Sequence, residues 1–216
     1  MDTHLRCTSS LPLPLVLLCL ASGYIDALGY AYHGVFAANM TGNTVLVGMS
    51  LAQHQWTTAV SGLSTLVLFF LGALAGGCFT PQRQWSYQLP LFTECALLVA
   101  ASCLDPASSL WLALTATAMG LQASVIVGVG GSTVSTVVLT STLAKLARLS
   151  ARALFLAPFF GASSTPNGSR LPLLMAWSAY FLGAVAAGLL LTADWAMWAG
   201  TAAVAVLPLQ QWRYRG

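Results

Sequence analysis

Ser22, Asp26, Gly29, Tyr30 and His33 recur at i, i+4, i+7, i+8 and i+11 in an otherwise apolar stretch. In an α-helix that spacing gathers them on one face. The face is small and polar, with Leu15, Leu18, Ile25 and Leu28 elsewhere around the helix. A carboxylate at the centre of a membrane helix costs about 2.5–3.5 kcal/mol on insertion scales. Asp26 is therefore expected to face a bundle interior or a cavity. There it can serve as a proton or cation site, or anchor a cationic or hydroxyl-bearing ligand. It can equally be a buried acceptor for Tyr, Ser or backbone N–H donors that fixes helix packing. The residues alone leave both open.

The next polar cluster is Asn39-Met40-Thr41-Gly42-Asn43-Thr44. It reads as a break followed by a helix start, with Thr41 or Asn43 as cap and Gly42 supplying backbone freedom. A half-helix N-terminus at membrane depth offers free N–H groups and a positive dipole end, suited to an anion or a carbonyl oxygen. In the second half, Thr133, Thr136 and Thr140 are spaced to share a helical face, and Gln122 is a further polar group at depth. Glu94 lies near the start of its apolar segment and is expected to reach towards the interface. The candidate substrate-binding or ion-coupling set is Asp26, Tyr30, Asn39, Thr41, Gly42, Asn43, Gln122 and Thr140.

Other chemistries lack their motifs. Gly128-Val129-Gly130-Gly131-Ser132-Thr133 has no phosphate-loop lysine, and neither His-Glu-x-x-His nor Gly-x-Ser-x-Gly occurs. The five cysteines, Cys7, Cys19, Cys78, Cys95 and Cys103, form no Cys-x-x-Cys and sit mostly in apolar runs. They read as free, small apolar residues. No metal, cofactor or catalytic residue is expected, and no enzymatic activity.

These residues must be positioned by membrane helices. The chain is 57% hydrophobic and 6% charged, with mean hydropathy +0.79, whereas a soluble domain carries about 25% charged residues. Apolar stretches long enough to be spans run over roughly 11–33, 57–79, 88–104, 107–128, 171–191 and 194–210, with prolines near their ends. Arg6 followed by Leu11 to Leu20 resembles a signal peptide, but the stretch continues to Gly34 and is expected to stay as the first span. Two pieces, 40–52 and 133–147, are short for a crossing at 1.5 Å per residue. The expected fold is all-α: a polytopic bundle of six full spans plus two short broken or re-entrant helices, in a single membrane domain. Six spans with both termini in the cytoplasm put all eight basic residues inside; eight spans would move Arg83 out. The expected location is the inner or plasma membrane. The net charge of +3 forms no patch for nucleic acid.

A weak internal repeat suggests two pseudo-repeated halves, about 11–104 and 107–210. Phe70-Leu71-Gly72-Ala73-Leu74-Ala75-Gly76-Gly77 is echoed by Phe181-Leu182-Gly183-Ala184-Val185-Ala186-Ala187-Gly188. A short Thr-bearing piece precedes each copy. With three crossings each, the halves would be inverted, and interrupted segments in corresponding positions of inverted halves point to a transporter site. The Gly72/Gly76 and Gly183/Ala187 pairs are small-xxx-small surfaces for close helix packing, within the chain or in a homo-oligomer.

Ser22-Gly23-Tyr24-Ile25-Asp26-Ala27-Leu28-Gly29-Tyr30 followed by Val35-Phe36-Ala37-Ala38-Asn39-Met40-Thr41-Gly42-Asn43-Thr44-Val45 resembles the YoaK-like family of small polytopic membrane proteins of unknown function. The likeness continues through Phe70 to Gly77, Gly120-Leu121-Gln122 and Thr136 to Leu143. The family pattern has Gln-Asn-Ala where Gln122-Ala123-Ser124 stands, and Thr-Gly-Thr where Thr140-Ser141-Thr142 stands. The resemblance implies a six-span-class membrane protein, more often bacterial, and supplies no substrate.

The expected function is a small-solute secondary transporter or permease, with proton coupling through Asp26. The alternative is a structural, sensory or assembly subunit that uses the same residues for packing. A third reading is an intramembrane enzyme acting on a lipid-phase substrate through His33 and Asp26. The partners expected are the lipid bilayer and a small solute of unknown identity.

Overall fold

Helix α3 (Trp56–Cys78) turns its small residues inward and its large ones outward. Ala59, Gly62, Thr65, Gly72 and Gly76 are buried, while Val60, Leu63, Val67, Phe70, Leu71 and Leu74 are exposed. A helix on a soluble core does the reverse. Helix α7 (Leu171–Leu190) repeats the pattern, burying Ala176, Ala179, Gly183 and Ala187 and exposing Leu174, Phe181, Leu182, Val185 and Leu189. Apolar faces of this extent are solvated by lipid, and small residues let helix backbones approach.

The computed structural model describes residues 5–6, 13–78, 88–124, 126–129, 132–135, 139–151, 170–193 and 198–205. The remaining helices are α1 (Leu13–His33), α2 (Met40–Ala52), α4 (Gln88–Ser102), α5 (Ser109–Ser124), α6 (Leu139–Ala151) and α8 (198–205). Among the described residues, α1, α3 and α7 are long and apolar enough to cross a membrane by themselves, and α4 is a shorter apolar helix. Helix α1 is the centre of the bundle: 61% of its most apolar window is buried, against 28% for α3 and for α7.

Two parallel helix pairs form the frame. Leu15 and Leu18 of α1 share a core cluster with Leu173 and Ala176 of α7, and Tyr32 meets Leu191 at the other end. A Cβ added to Gly23 would fall on the Tyr180 carbonyl, and one on Gly183 would fall on the Leu20 carbonyl. The α3–α5 pair is built the same way. A Cβ on Gly120 would strike the Phe69 carbonyl, and one on Gly72 the Thr117 carbonyl. Between the pairs, α4 and α5 are antiparallel, and Leu98 clusters with Ala21, Ile25, Ala118 and Met119.

In the first half the chain reverses between α1 and α2, where a break was expected. After Gly34 (φ 68°) the chain turns back and starts α2 beside the middle of α1. Helix α2 returns along α3, where Gly62 sits against Val47 and Val35. The positive φ lies at Gly34, whereas Gly42 is inside α2.

The second half departs from expectation. Helix α5 stops at Ser124, and Ile126–Val129 (β2) pairs antiparallel with Ser132–Ser135 (β3), while Leu5–Arg6 (β1) lies parallel to β2. The helical bundle therefore carries a small sheet. The sequence accounts for it: β-branched residues flank Gly130-Gly131, a pair favoured between hairpin strands. Thr133 is consequently on a strand and shares no helical face with Thr140, which is exposed in the first turn of α6. Thr136 lies outside the described residues, as do 194–197 and 206–210 of the last expected span.

Candidate functional site

Asp26 sits two turns before the end of α1, about 10 Å deep at 1.5 Å per residue. Its side chain is only 2% exposed. Oδ1 accepts the Ala38 N–H at 2.6 Å and the Asn39 N–H at 3.2 Å. Oδ2 accepts the Tyr180 hydroxyl at 2.6 Å. Ala38 and Asn39 immediately precede α2, whose first amides have no intrahelical partner. The carboxylate thus lies at the positive end of the α2 helix dipole. The amides that the break was expected to leave free for an anion or a carbonyl oxygen are engaged by the chain's own Asp26.

The loop between α1 and α2 is held by two asparagines. Asn39 is the N-cap of α2, its Oδ1 accepting the Gly42 N–H at 3.1 Å. This corrects the assignment of the cap to Thr41 or Asn43, and Thr41 points outward. Asn43 instead pairs with the backbone of Phe36: its Oδ1 accepts Phe36 N–H at 2.8 Å and its Nδ2 donates to Phe36 O at 2.6 Å. Phe36 and Asn39 pack so closely against Gly42 that a Cβ there would lie 3.0 Å from Asn39 Nδ2. Any larger residue there would make Asn39 or Phe36 give by a few tenths of an ångström.

Gln122 joins α5 to the same face of α1. Its Nε2 donates to Ser22 Oγ at 2.7 Å and to Leu18 O at 3.2 Å, and Ser22 Oγ donates to Leu18 O. The polar stripe of α1 divides at Gly29. Ser22, Asp26 and Gly29 are buried, but Tyr30 is 53% exposed and stacks on Phe36, with ring centroids 5.1 Å apart. His33 donates from Nε2 to the Pro106 carbonyl at 2.8 Å and stacks on Trp111. It is two turns from Asp26 and shares no hydrogen bond with it.

The structure therefore unites Asp26, Asn39, Gly42 and Asn43 around one joint and places Gln122 on its inner side. Tyr30 and Thr41 lie at its outer edge, and Thr140 is separate. Tyr180 was missed. It belongs to the same helix as the second copy of the repeat, one residue before Phe181, which was the available signal. Glu94 was misplaced: it is fully buried, since it falls between the inward-facing Leu91 and Leu98 on α4.

The end of the bundle where α1 finishes carries a pocket of about 370 Å³ lined by Tyr32, Ser102, Cys103, Pro106, Leu191 and Thr192. Among the described residues, no cluster of three His, Cys, Asp or Glu side chains is arranged to hold a metal ion.

Comparison with known proteins agrees with the resemblance read from the motifs. The chain is 33% identical over 144 residues to the UPF0700 transmembrane protein YoaK of Bacillus subtilis (strain 168), covering 61% of this chain and 64% of that relative. The match thus spans less than two thirds of the relative's own length. No solved structure matches. Residues 14–209 match the family described as protein of unknown function, DUF1275. The chain belongs to this DUF1275 family of YoaK-like membrane proteins.

Proposed function

We propose that this protein is a secondary transporter or permease for a small solute, and that Asp26 works as the lock of a re-entrant joint. The observation that carries the reading is the convergence of three donors on Asp26. Two come from the loop before α2 and one from Tyr180 on α7. A proton or cation that neutralised Asp26 would weaken its hold on the α2 N-terminus, and a proton on Oδ2 would reverse the sense of the Tyr180 hydrogen bond. That couples the charge of one side chain to the contact between two parts of the bundle.

The paired helices support two inverted halves. Leu20 and Gly23 of α1 meet α7 as Thr117 and Gly120 of α5 meet α3, and Phe69 and Gly72 correspond to Tyr180 and Gly183. Bundles of this kind transport by rocking one repeat against the other. Six spans with cytoplasmic termini remain the proposed topology. The glycine faces are occupied within the chain, so a homo-oligomer would have to use another surface.

A second reading has its own support. Asp26 is engaged on both oxygens by the protein itself, as expected of a structural or assembly subunit. A thermal-shift screen of purified protein, with small metabolites and ions at two pH values, separates the two. On the transport reading a solute stabilises wild type and is taken up by proteoliposomes, and Asp26→Asn uncouples uptake from the pH gradient. If no solute binds or enters and Asp26→Asn only melts earlier, the structural reading replaces it.

A further inference from the structure

Glu94 is the only glutamate of the chain. It is fully buried on α4, and among the described residues neither carboxyl oxygen has a hydrogen-bond partner. Its level in the bundle follows from its neighbours. Leu91, one turn before it, clusters with Leu15, Leu18 and Cys19 of α1. Leu98, one turn after it, clusters with Ala21 and Ile25 of α1 and with Ala118 and Met119 of α5. Because α5 is antiparallel to α4, the turn that leads from Leu98 to Glu94 leads from Ala118 to Gln122. Glu94 therefore lies at the level of Ser22 and Gln122, which are hydrogen-bonded to each other and fully buried.

An ionised carboxylate with no partner in a dry interior is far too costly to persist. The described titratable groups near its level are Cys19, Tyr24 and Asp26 on α1, Cys95 on α4 and Tyr180 on α7, and Asp26 is already bound to Tyr180. Lys145 and Arg148 of α6, which packs on the Leu91 cluster, and Arg170 before α7 are exposed. Among the described residues nothing buried beside Glu94 brings the positive charge that would balance it, and a lone carboxylate calls for a single one. The hydroxyl of Ser22 and the amide of Gln122 at the same level carry hard oxygens, and no cluster suited to a multivalent metal is present among the described residues.

We propose that Glu94 is a buried site for one monovalent cation, either a proton or an alkali-metal ion, one turn deeper than the Asp26 joint. The site goes beyond the transport reading and needs no solute flux to exist.

A single glutamate allows a direct test on the unaltered chain. Cell-free synthesis with glutamate carrying a ¹³C side-chain carboxyl labels Glu94 alone. The protein, in lipid nanodiscs, is followed by infrared and NMR spectroscopy while pH is raised, once in choline buffer and once in sodium buffer. A signal that stays in the acid form at neutral pH in both buffers identifies the proton as the occupant. A signal that becomes carboxylate only on sodium addition, with one proton released per chain, identifies the alkali ion. One-for-one competition then weakens apparent sodium affinity about tenfold per unit fall in pH. Glu94→Gln, which keeps the shape, should abolish sodium binding and proton release. A Glu94 carboxyl already ionised at neutral pH in choline and indifferent to sodium would overturn the proposal. Transport measurements are not involved, so a failure here is distinct from a failure of the transport reading.

Discussion

Tyr180 and Asp26 share a 2.6 Å hydrogen bond although 154 residues separate them. It is the polar clasp of the α1–α7 pair, set beside the close approach of Gly23 to the Tyr180 backbone. A hydrogen bond to a charged acceptor is worth about 1.5–3 kcal/mol, and bonds between membrane helices sit at the lower end, about 1–2 kcal/mol. Tyr180→Phe is expected to lower stability by about that amount. Asp26→Ala should cost about 3 kcal/mol or more, because it strands the Ala38 and Asn39 amides as well. The double variant should fall short of the sum by about 1 kcal/mol, the coupling of a contacting pair. Unfolding measurements in detergent check the cycle, and full additivity would show that the clasp is not formed.

The glycines divide into two groups with opposite expected behaviour. At Gly23, Gly72, Gly120 and Gly183 an added Cβ would meet a backbone carbonyl of the neighbouring helix, which cannot move aside as a side chain can. Alanine at each should cost about 1–3 kcal/mol through overpacking. At Gly48, Gly77 and Gly188 an added Cβ meets nothing within 4 Å. There alanine should be neutral or stabilise by up to about 1 kcal/mol, as helix propensity dictates. Thermal stability of the seven single variants tests this. Comparable losses at Gly23 and Gly120, and at Gly72 and Gly183, are what equivalent crossings in two halves would give.

The sequence carried the joint further than it carried the second half. Asp26, Asn39 and Asn43 are legible because polar side chains are costly in lipid and few explanations suit them. Their roles are less legible. Asn39 and Asn43 look alike in sequence, but only the reversal at Gly34 makes one a cap and the other a brace for Phe36. Tyr180 stays hidden because tyrosines are ordinary in membrane helices, and its importance lies in a partner on another helix. The strands over 126–129 and 132–135 replaced an expected helical continuation because hydropathy does not distinguish an apolar strand from the end of an apolar helix. Glu94 was read from its distance to the helix start, whereas burial is set by the helical face, shared with Leu91 and Leu98.

Asn43 makes a sharper prediction than the other polar residues of the loop. Its side chain pairs with both backbone groups of Phe36, so Asn43→Ala leaves a partly buried N–H and C=O unsatisfied together. The expected loss is about 2 kcal/mol, the lower end of 1–3 kcal/mol for each stranded group, because both are only partly buried. Asn39→Ala removes one cap bond and should cost about 1 kcal/mol. Amide exchange over 34–39 should quicken much more in the Asn43 variant than in the Asn39 variant. Equal exchange in both would mean that the cap, and not the brace, holds the loop.

On the proposed six-span topology, with α2 re-entrant, each connection is assigned a side of the membrane. Helices α3 and α5 are parallel, so the start of α3 at Trp56 shares an end of the bundle with the start of α5 at Ser109 and with the Tyr32–Leu191 contact. A cysteine at Trp56 and one at Thr192, in a chain freed of its own cysteines, should therefore be labelled from one side of the membrane by an impermeant reagent. A cysteine at Ser86, between α3 and α4, should be labelled only from the other. With cytoplasmic termini, Trp56 and Thr192 face outward and Ser86 inward. If Ser86 were the outward one, the segment over 40–52 would cross the bilayer, and α2 could not return along α3 to the end it left.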